Sequence, residues 1–158
     1  MSEPVIEVSY RKATRGSKRP VGERKKPKAP SVLRSLKNKT WELCKQITRK
    51  RYGFVCYTCD KPLASKDCHT GHFIPRSKGG LSLKYDLKNL RPQCYDCNIN
   101  LGGNGAEFYR RLVRIEGQEY VDELFSRKGL ITKESKDYHY DLIAEYKAIL
   151  KGLEVINT

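Results

Sequence analysis

Cys56-Tyr-Thr-Cys59, His69-Thr-Gly-His72-Phe-Ile-Pro-Arg76, Gly79-Gly80, then Asn89-Leu-Arg-Pro-Gln-Cys94-Tyr-Asp-Cys97-Asn98: these residues, all between 56 and 98, decide the fold. Four thiolates in two Cys-x-x-Cys pairs suffice for a closed tetrahedral zinc site. A structural zinc on Cys56, Cys59, Cys94 and Cys97 would join the two ends of the stretch and hold rigid what lies between. The 34 residues separating the pairs are too many for a simple ribbon. A β-hairpin followed by a helix fits the gap: a strand over about 69–74, a turn at Gly79-Gly80 and a strand over about 81–85. In the second strand Leu81, Leu83 and Tyr85 alternate with polar residues. A loop over 86–92 then enters the second pair, and a helix starts at about Asn98.

The residues held between the pairs carry chemistry. His72 ends the first strand, where a neutral imidazole can take a proton from water. The carboxamide oxygen of Asn98 is a hard ligand suited to Mg²⁺ or Mn²⁺. Asn89 can hold its loop by bonding backbone groups. Arg76 is a candidate phosphate clamp, with Lys78 close behind it. Together they outline a one-metal phosphodiester hydrolase.

Charge points to the same class of substrate. The net charge is +14, and residues 105–158 are nearly balanced, with nine Lys/Arg and ten Asp/Glu. Residues 1–104 therefore carry an excess of 15 positive charges. Nucleic acid is the commonest polyanion partner. A membrane surface fits less well, because the basic region has no matching apolar face. No apolar run approaches the ~20 residues of a membrane span, and no secretory signal is visible, so a soluble, cytoplasmic protein is expected. In a reducing compartment six cysteines favour metal over disulfides. Cys44 and Cys68 lie outside the pairs and read as small buried residues.

Residues 1–30 read as a disordered basic arm, rich in proline and poor in large apolar groups. Its basic residues include Arg11, Lys12, Lys18, Arg19, Arg24, Lys25, Lys26 and Lys28, which can track phosphates. Residues 31–158 read as one zinc-containing domain. A helix over 31–52, capped by Ser31 and ended by Gly53, buries a stripe through Leu33, Leu36, Trp41, Cys44 and Ile47. Its opposite face is basic and meets DNA or water. The zinc core spans 54–104, and helices fill 105–158. Phe108, Leu112 and Ile115 face the core in the first of these helices, and Tyr120, Leu124 and Phe125 mark the second. A last helix, capped by Thr132, carries a stripe from Tyr138 to Leu150. His139 reads as a surface or packing histidine.

The order of these motifs resembles the ββα-metal (HNH) nucleases that carry an added zinc site. Gly71-His72-Phe73-Ile74-Pro75-Arg76, Pro92-Gln93-Cys94-x-x-Cys97-Asn98 and Gly103-Asn104 are more closely similar to the phage recombination nucleases called Rap or NinG. The Cys-x-x-Cys-Asn ending is shared with the endonuclease VII type. The resemblance spans about 35–128. It implies an α+β fold with a small zinc-stapled, treble-clef-like ββα-metal core flanked by helices. It also implies a metal-dependent endonuclease that cuts branched recombination intermediates, such as Holliday junctions and D-loops, in the host cytoplasm. By position, His72 is the general base, Asn98 a ligand of the catalytic metal, Asn89 the loop support and the four paired cysteines the zinc ligands. In the wider HNH pattern a metal ligand commonly precedes the base, but Gly71 stands there. Asp67 and His69 are the nearby substitutes. Symmetric cutting of a junction would favour a homodimer. Two readings without catalysis remain beside this one: a zinc module that only binds DNA, and an adaptor whose C-terminal helices dock a recombination protein.

Overall fold

A computed structural model describes residues 31–130 and 133–155. The basic arm over 1–30 and the Thr132 cap lie outside these residues. The described chain is α+β and rich in helix, with one two-stranded sheet.

Helix α1 spans Val32–Tyr52. Ser31 Oγ accepts from the Arg34 amide at 3.4 Å, and Gly53, at φ 70°, ends the helix by donating to Arg49 O at 2.8 Å. Only a residue tolerant of positive φ closes a helix in this way. The last helix, α5, spans Lys136–Val155, and Ser135 Oγ accepts from Tyr138 N at its start. Leu43, Cys44 and Ile47 of α1 meet Tyr146 of α5 around Tyr85 and Leu90, with Tyr138, Leu142, Ile143, Ile149 and Leu150 against them. Burying each such side chain stabilises the fold by roughly 1.5–3 kcal/mol. His139 is fully buried between the two helices, 2.9 Å from Thr40 Oγ1, and Nε2–H donates to Glu134 Oε1. It is a packing histidine.

Strand β1, His69–His72, pairs antiparallel with β2, Leu90–Gln93, with His72 opposite Leu90 and Gly71 opposite Arg91. Between the strands the chain forms α2, Arg76–Lys84, and a 3-10 turn at Leu87–Asn89. The expected strand over 81–85 is therefore helical, and the true partner of β1 lies in the segment expected to be a loop. Three alternating apolar residues are too short a pattern to separate strand from helix. Pro75 supplies the deciding local chemistry: its carbonyl accepts from the Lys78 and Gly79 amides at 2.8 Å and starts α2. Gly80, at φ 70° and ψ −169°, kinks that helix and does not turn a hairpin. β2 hides behind its polar letters, because Leu90, Arg91, Pro92 and Gln93 are all buried.

A five-residue π-helical turn, Asp96–Asn100, carries Cys97 of the second cysteine pair together with Asn98. The chain is thus helical at Asn98 as expected; it breaks at Gly102-Gly103, and α3, Gly105–Glu116, and α4, Gln118–Ser126, follow. Phe108, Leu112, Val121 and Leu124 of these helices pack on Phe73, Ile74 and Leu83. Ile115 is exposed instead, and Phe125, though partly exposed, sets its ring edge-on to Phe73 at 5.6 Å. Arg91 is wholly buried beside this layer. It pairs with Glu116 at 2.7 Å, donates to the Lys88 and Leu90 carbonyls and faces the Tyr52 ring at 4.3 Å. No described helix is long and apolar enough to cross a membrane.

Candidate active site and zinc centre

The Sγ atoms of Cys56, Cys59, Cys94 and Cys97 all lie within 4.8 Å of one another, and those of Cys59 and Cys94 are 3.8 Å apart. A tetrahedral zinc with bonds of about 2.3 Å needs sulfurs about 3.8 Å apart, so this donor set fits zinc. Two local devices shape it. The first pair sits in a tight turn where Asp60 N donates to Cys56 O and Cys56 N to Lys61 O, both at 2.9 Å. Asp60 takes φ 58° there and is clamped by Arg111 through two bonds of 2.6 Å. The second pair ends β2, where Cys97 N donates to Cys94 Sγ at 3.4 Å. Cys68 stays outside the cluster, buried, with its carbonyl accepting from Arg49 Nη2 at 2.9 Å. Cys44 Sγ donates to Tyr85 O at 3.4 Å. Both are the small buried residues expected.

The cysteine cluster places Asn98. Its amide donates to Cys94 O at 3.0 Å, so the residue after the last thiolate is fixed in the π turn beside β1. Its side-chain amide nitrogen, Nδ2, lies 3.4 Å from His69 Nδ1. Asn98 lines two adjoining hollows, one shared with His72 and the other with His69, and Thr70, Trp41 and Arg76 line both. Asp67 is not brought to this site; it lines a different hollow with Lys61, Tyr95 and Asp96. Among the described residues, only the four cysteines form a cluster of three or more metal-binding Cys, His, Asp or Glu side chains.

His72 is held from two sides. Its Nε2–H donates to Lys84 O at 2.9 Å, and its ring stacks on Trp41 with centroids 5.3 Å apart and planes 9° from parallel. Because a carbonyl only accepts, this bond fixes the tautomer and leaves the lone pair on Nδ1. Burial pushes the imidazole pKa down to about 4; the Lys84 carbonyl opposes this, while the Arg76 and Lys84 charges add to it. The ring is therefore neutral at pH 7.

Asn89 is completely buried. Its Oδ1 accepts from Ile74 N at 2.7 Å, and Nδ2 donates to the Ile74 and Leu83 carbonyls at 3.0 Å. It ties the end of β1 to the end of α2, whose Lys84 carbonyl orients His72. Gly71 is explained by Gln93. A Cβ at residue 71 would stand 2.7 Å from Gln93 Cδ and closer still to Oε1. That glutamine is buried and donates to Thr58 Oγ1 and Gly103 O, so no metal-binding side chain has room at position 71.

Arg76 and Lys78 are exposed on the first turn of α2. Lys45 and Arg49, on the basic helix face expected to meet DNA or water, line the cleft, and Trp41, expected only in the buried stripe, and Lys66 line it with them. Trp41, Lys45 and Arg49 stand four residues apart, which is one face of a helix, and that spacing was the available signal.

Against known families, the chain matches the model described as bacteriophage lambda NinG protein over residues 7–155. The chain belongs to this family. Membership makes it a phage protein related to recombination. Neither a curated protein nor a solved structure matches this NinG-family chain.

Proposed function

We propose that the chain is a metal-dependent DNA endonuclease of the ββα-metal type, acting on branched recombination intermediates. One observation carries this reading. A neutral imidazole with a fixed tautomer shares a small hollow with Asn98 and Arg76, beside a wall bearing Lys45, Arg49 and Lys66. Base, hard-ligand donor and phosphate-attracting charges converge as phosphodiester hydrolysis requires. The succession of two antiparallel strands and the helical turn bearing Asn98 fits a ββα arrangement.

In this mechanism the cationic cleft binds the backbone of the DNA through Arg76, Lys45, Arg49 and Lys66. His72 Nδ1 accepts a proton from the attacking water, while Lys84 O and Trp41 keep the ring in place. Asn98, with its carboxamide turned so that the oxygen takes the place of Nδ2, and His69 would hold Mg²⁺ or Mn²⁺, which would offset charge on the phosphate and the leaving oxygen. The set contains no carboxylate, so much of the ion's neutralisation falls to the substrate phosphate. The zinc centre has no role in the chemistry beyond placing Asn98. The N-terminal basic residues add contacts to phosphates that carry no sequence information.

A second reading has its own support. An imidazole bonded to a carbonyl and stacked on an indole is also how a packing histidine sits, as in a zinc module that only binds DNA. Cleavage of a labelled four-way junction, a flap and a linear duplex with Mg²⁺ or Mn²⁺ separates the two. Wild type should cut branched DNA. His72→Ala should keep its zinc and its binding while losing about 10²- to 10⁴-fold in rate. Wild type that binds all three substrates and cuts none would establish the binding module instead.

A further inference from the structure

The hollow that His72 shares with Asn98 has features that phosphate binding does not require. It encloses about 220 Å³, less than the ~300 Å³ at the low end for drug-sized ligands and fitting for one planar heterocycle. Trp41 and Ile99 give it apolar walls, while Gly102 and Gly103 contribute backbone alone. Ile99 is 51% exposed, in a hollow whose one Lys or Arg is Arg76 and which adjoins the cleft lined by Lys45, Arg49 and Lys66. The turn that presents it is stiff. Gly102, Gly103 and Asn104 take φ of 57°, 95° and 50° in succession. Gly103 N donates to Cys97 O at 2.9 Å, and Gly103 O accepts from Gln93 Nε2 at 2.8 Å. Ile99 thus stands in the turn that carries Cys97, exposed and lining the hollow.

We infer that this hollow receives one unstacked nucleobase from a branch point, held between Ile99 and Trp41 while the basic cleft takes the flanking phosphates. The inference rests on the DNA-binding part of the reading above. An apolar wall beside concentrated positive charge suits nucleic acid, whose bases present flat apolar faces next to anionic backbone. In a linear duplex those faces are covered by stacking and pairing, and exposing one is costly. At a junction or flap the stack is already interrupted, so a base enters at least cost. Every base has such a face, so the site selects DNA structure with little regard to sequence.

The test uses the full chain without added divalent cation, so that binding is read without cutting. 2-Aminopurine is placed at the branch point of a four-way junction and, separately, within a linear duplex of the same sequence. Saturating protein should change the emission of the branch-point probe and leave the duplex probe unchanged. Ile99→Ala, an exposed position, should abolish that change and weaken junction binding about tenfold. Leu101→Ala is the control: it is 60% exposed on the same stretch but outside the hollow, and it should alter neither readout. Equal zinc content and thermal midpoints confirm that both variants fold. A silent branch-point probe on bound junction overturns the base pocket alone, as does equal loss in both variants. If neither DNA is bound, the DNA reading falls and the inference with it.

Discussion

At the scale of single residues, His72 shows how burial sets chemistry. Its pKa is pushed down to about 4, mainly because the protein is a poorer solvent for imidazolium than water is. The unfolded chain takes up the proton near pH 6.5. Between these values the unfolded state binds more protons, so stability rises with pH there. The contribution is fully present above about pH 6.5 and is lost as pH falls towards 4; it amounts to on the order of 3 kcal/mol. Denaturant midpoints of wild type and His72→Gln, compared from pH 7 to 4.5, should converge as the pH falls. A difference that stays constant over this range would mean that His72 is not buried as a neutral ring. The histidine was legible as a candidate site residue from its neighbours in sequence. Its clamps were not, because Trp41 and Lys84 lie 31 and 12 residues away in the chain.

At the scale of elements, the sheet is decided by what surrounds it. β1 reads as a strand from sequence, and its polar partner β2 does not. Leu90-Arg-Pro-Gln93 becomes a strand because partners wait for its buried side chains: Glu116 and Tyr120 for Arg91, and Thr58 and Gly103 for Gln93. Gly71 records the same packing. An alanine inside a strand usually gains a few tenths of a kcal/mol over glycine by restricting the unfolded chain. At residue 71 the sign should reverse, because the Gln93 carboxamide fills the space and is pinned by its own bonds. Gly71→Ala is expected to cost about 1–3 kcal/mol, measured by chemical denaturation. A neutral or stabilising result would show that Gln93 is free to move aside.

At the scale of the whole molecule, three clusters share the burial. One lies between α1 and α5, one beneath α3 and α4, and the third is the cysteine group with Leu63. The segment from Phe54 to Cys68 has only short local structure, and Phe54 and Val55 are exposed. Its hold on the rest therefore depends on the thiolates, on Tyr57 packing against Phe108, and on a few bonds such as those of Arg111 to Asp60, Gln93 to Thr58 and Arg49 to Cys68 O. Chelating the zinc should strip hydrogen-exchange protection from residues 54–63 and 94–104, which carry the site. The α1–α5 pair, with its own core, should keep most of its helical circular dichroism. Unchanged protection of 54–63 and 94–104 after proven metal loss would show that the cysteine group is not the staple.

Sequence by itself determined the parts whose chemistry is local. The two thiolate pairs are set by spacing, the N-terminal helix by its cap and apolar stripe, and the charge bias by composition. His69, His72, Asn89 and Asn98 stood out because they lie between or beside ligands that a single ion can gather. Only the tertiary structure decided which segment pairs with β1, why position 71 must be glycine, and which basic residues share the cleft. Those outcomes depend on contacts between residues far apart in the chain, where packing and buried hydrogen bonds outweigh the preferences that a short stretch carries.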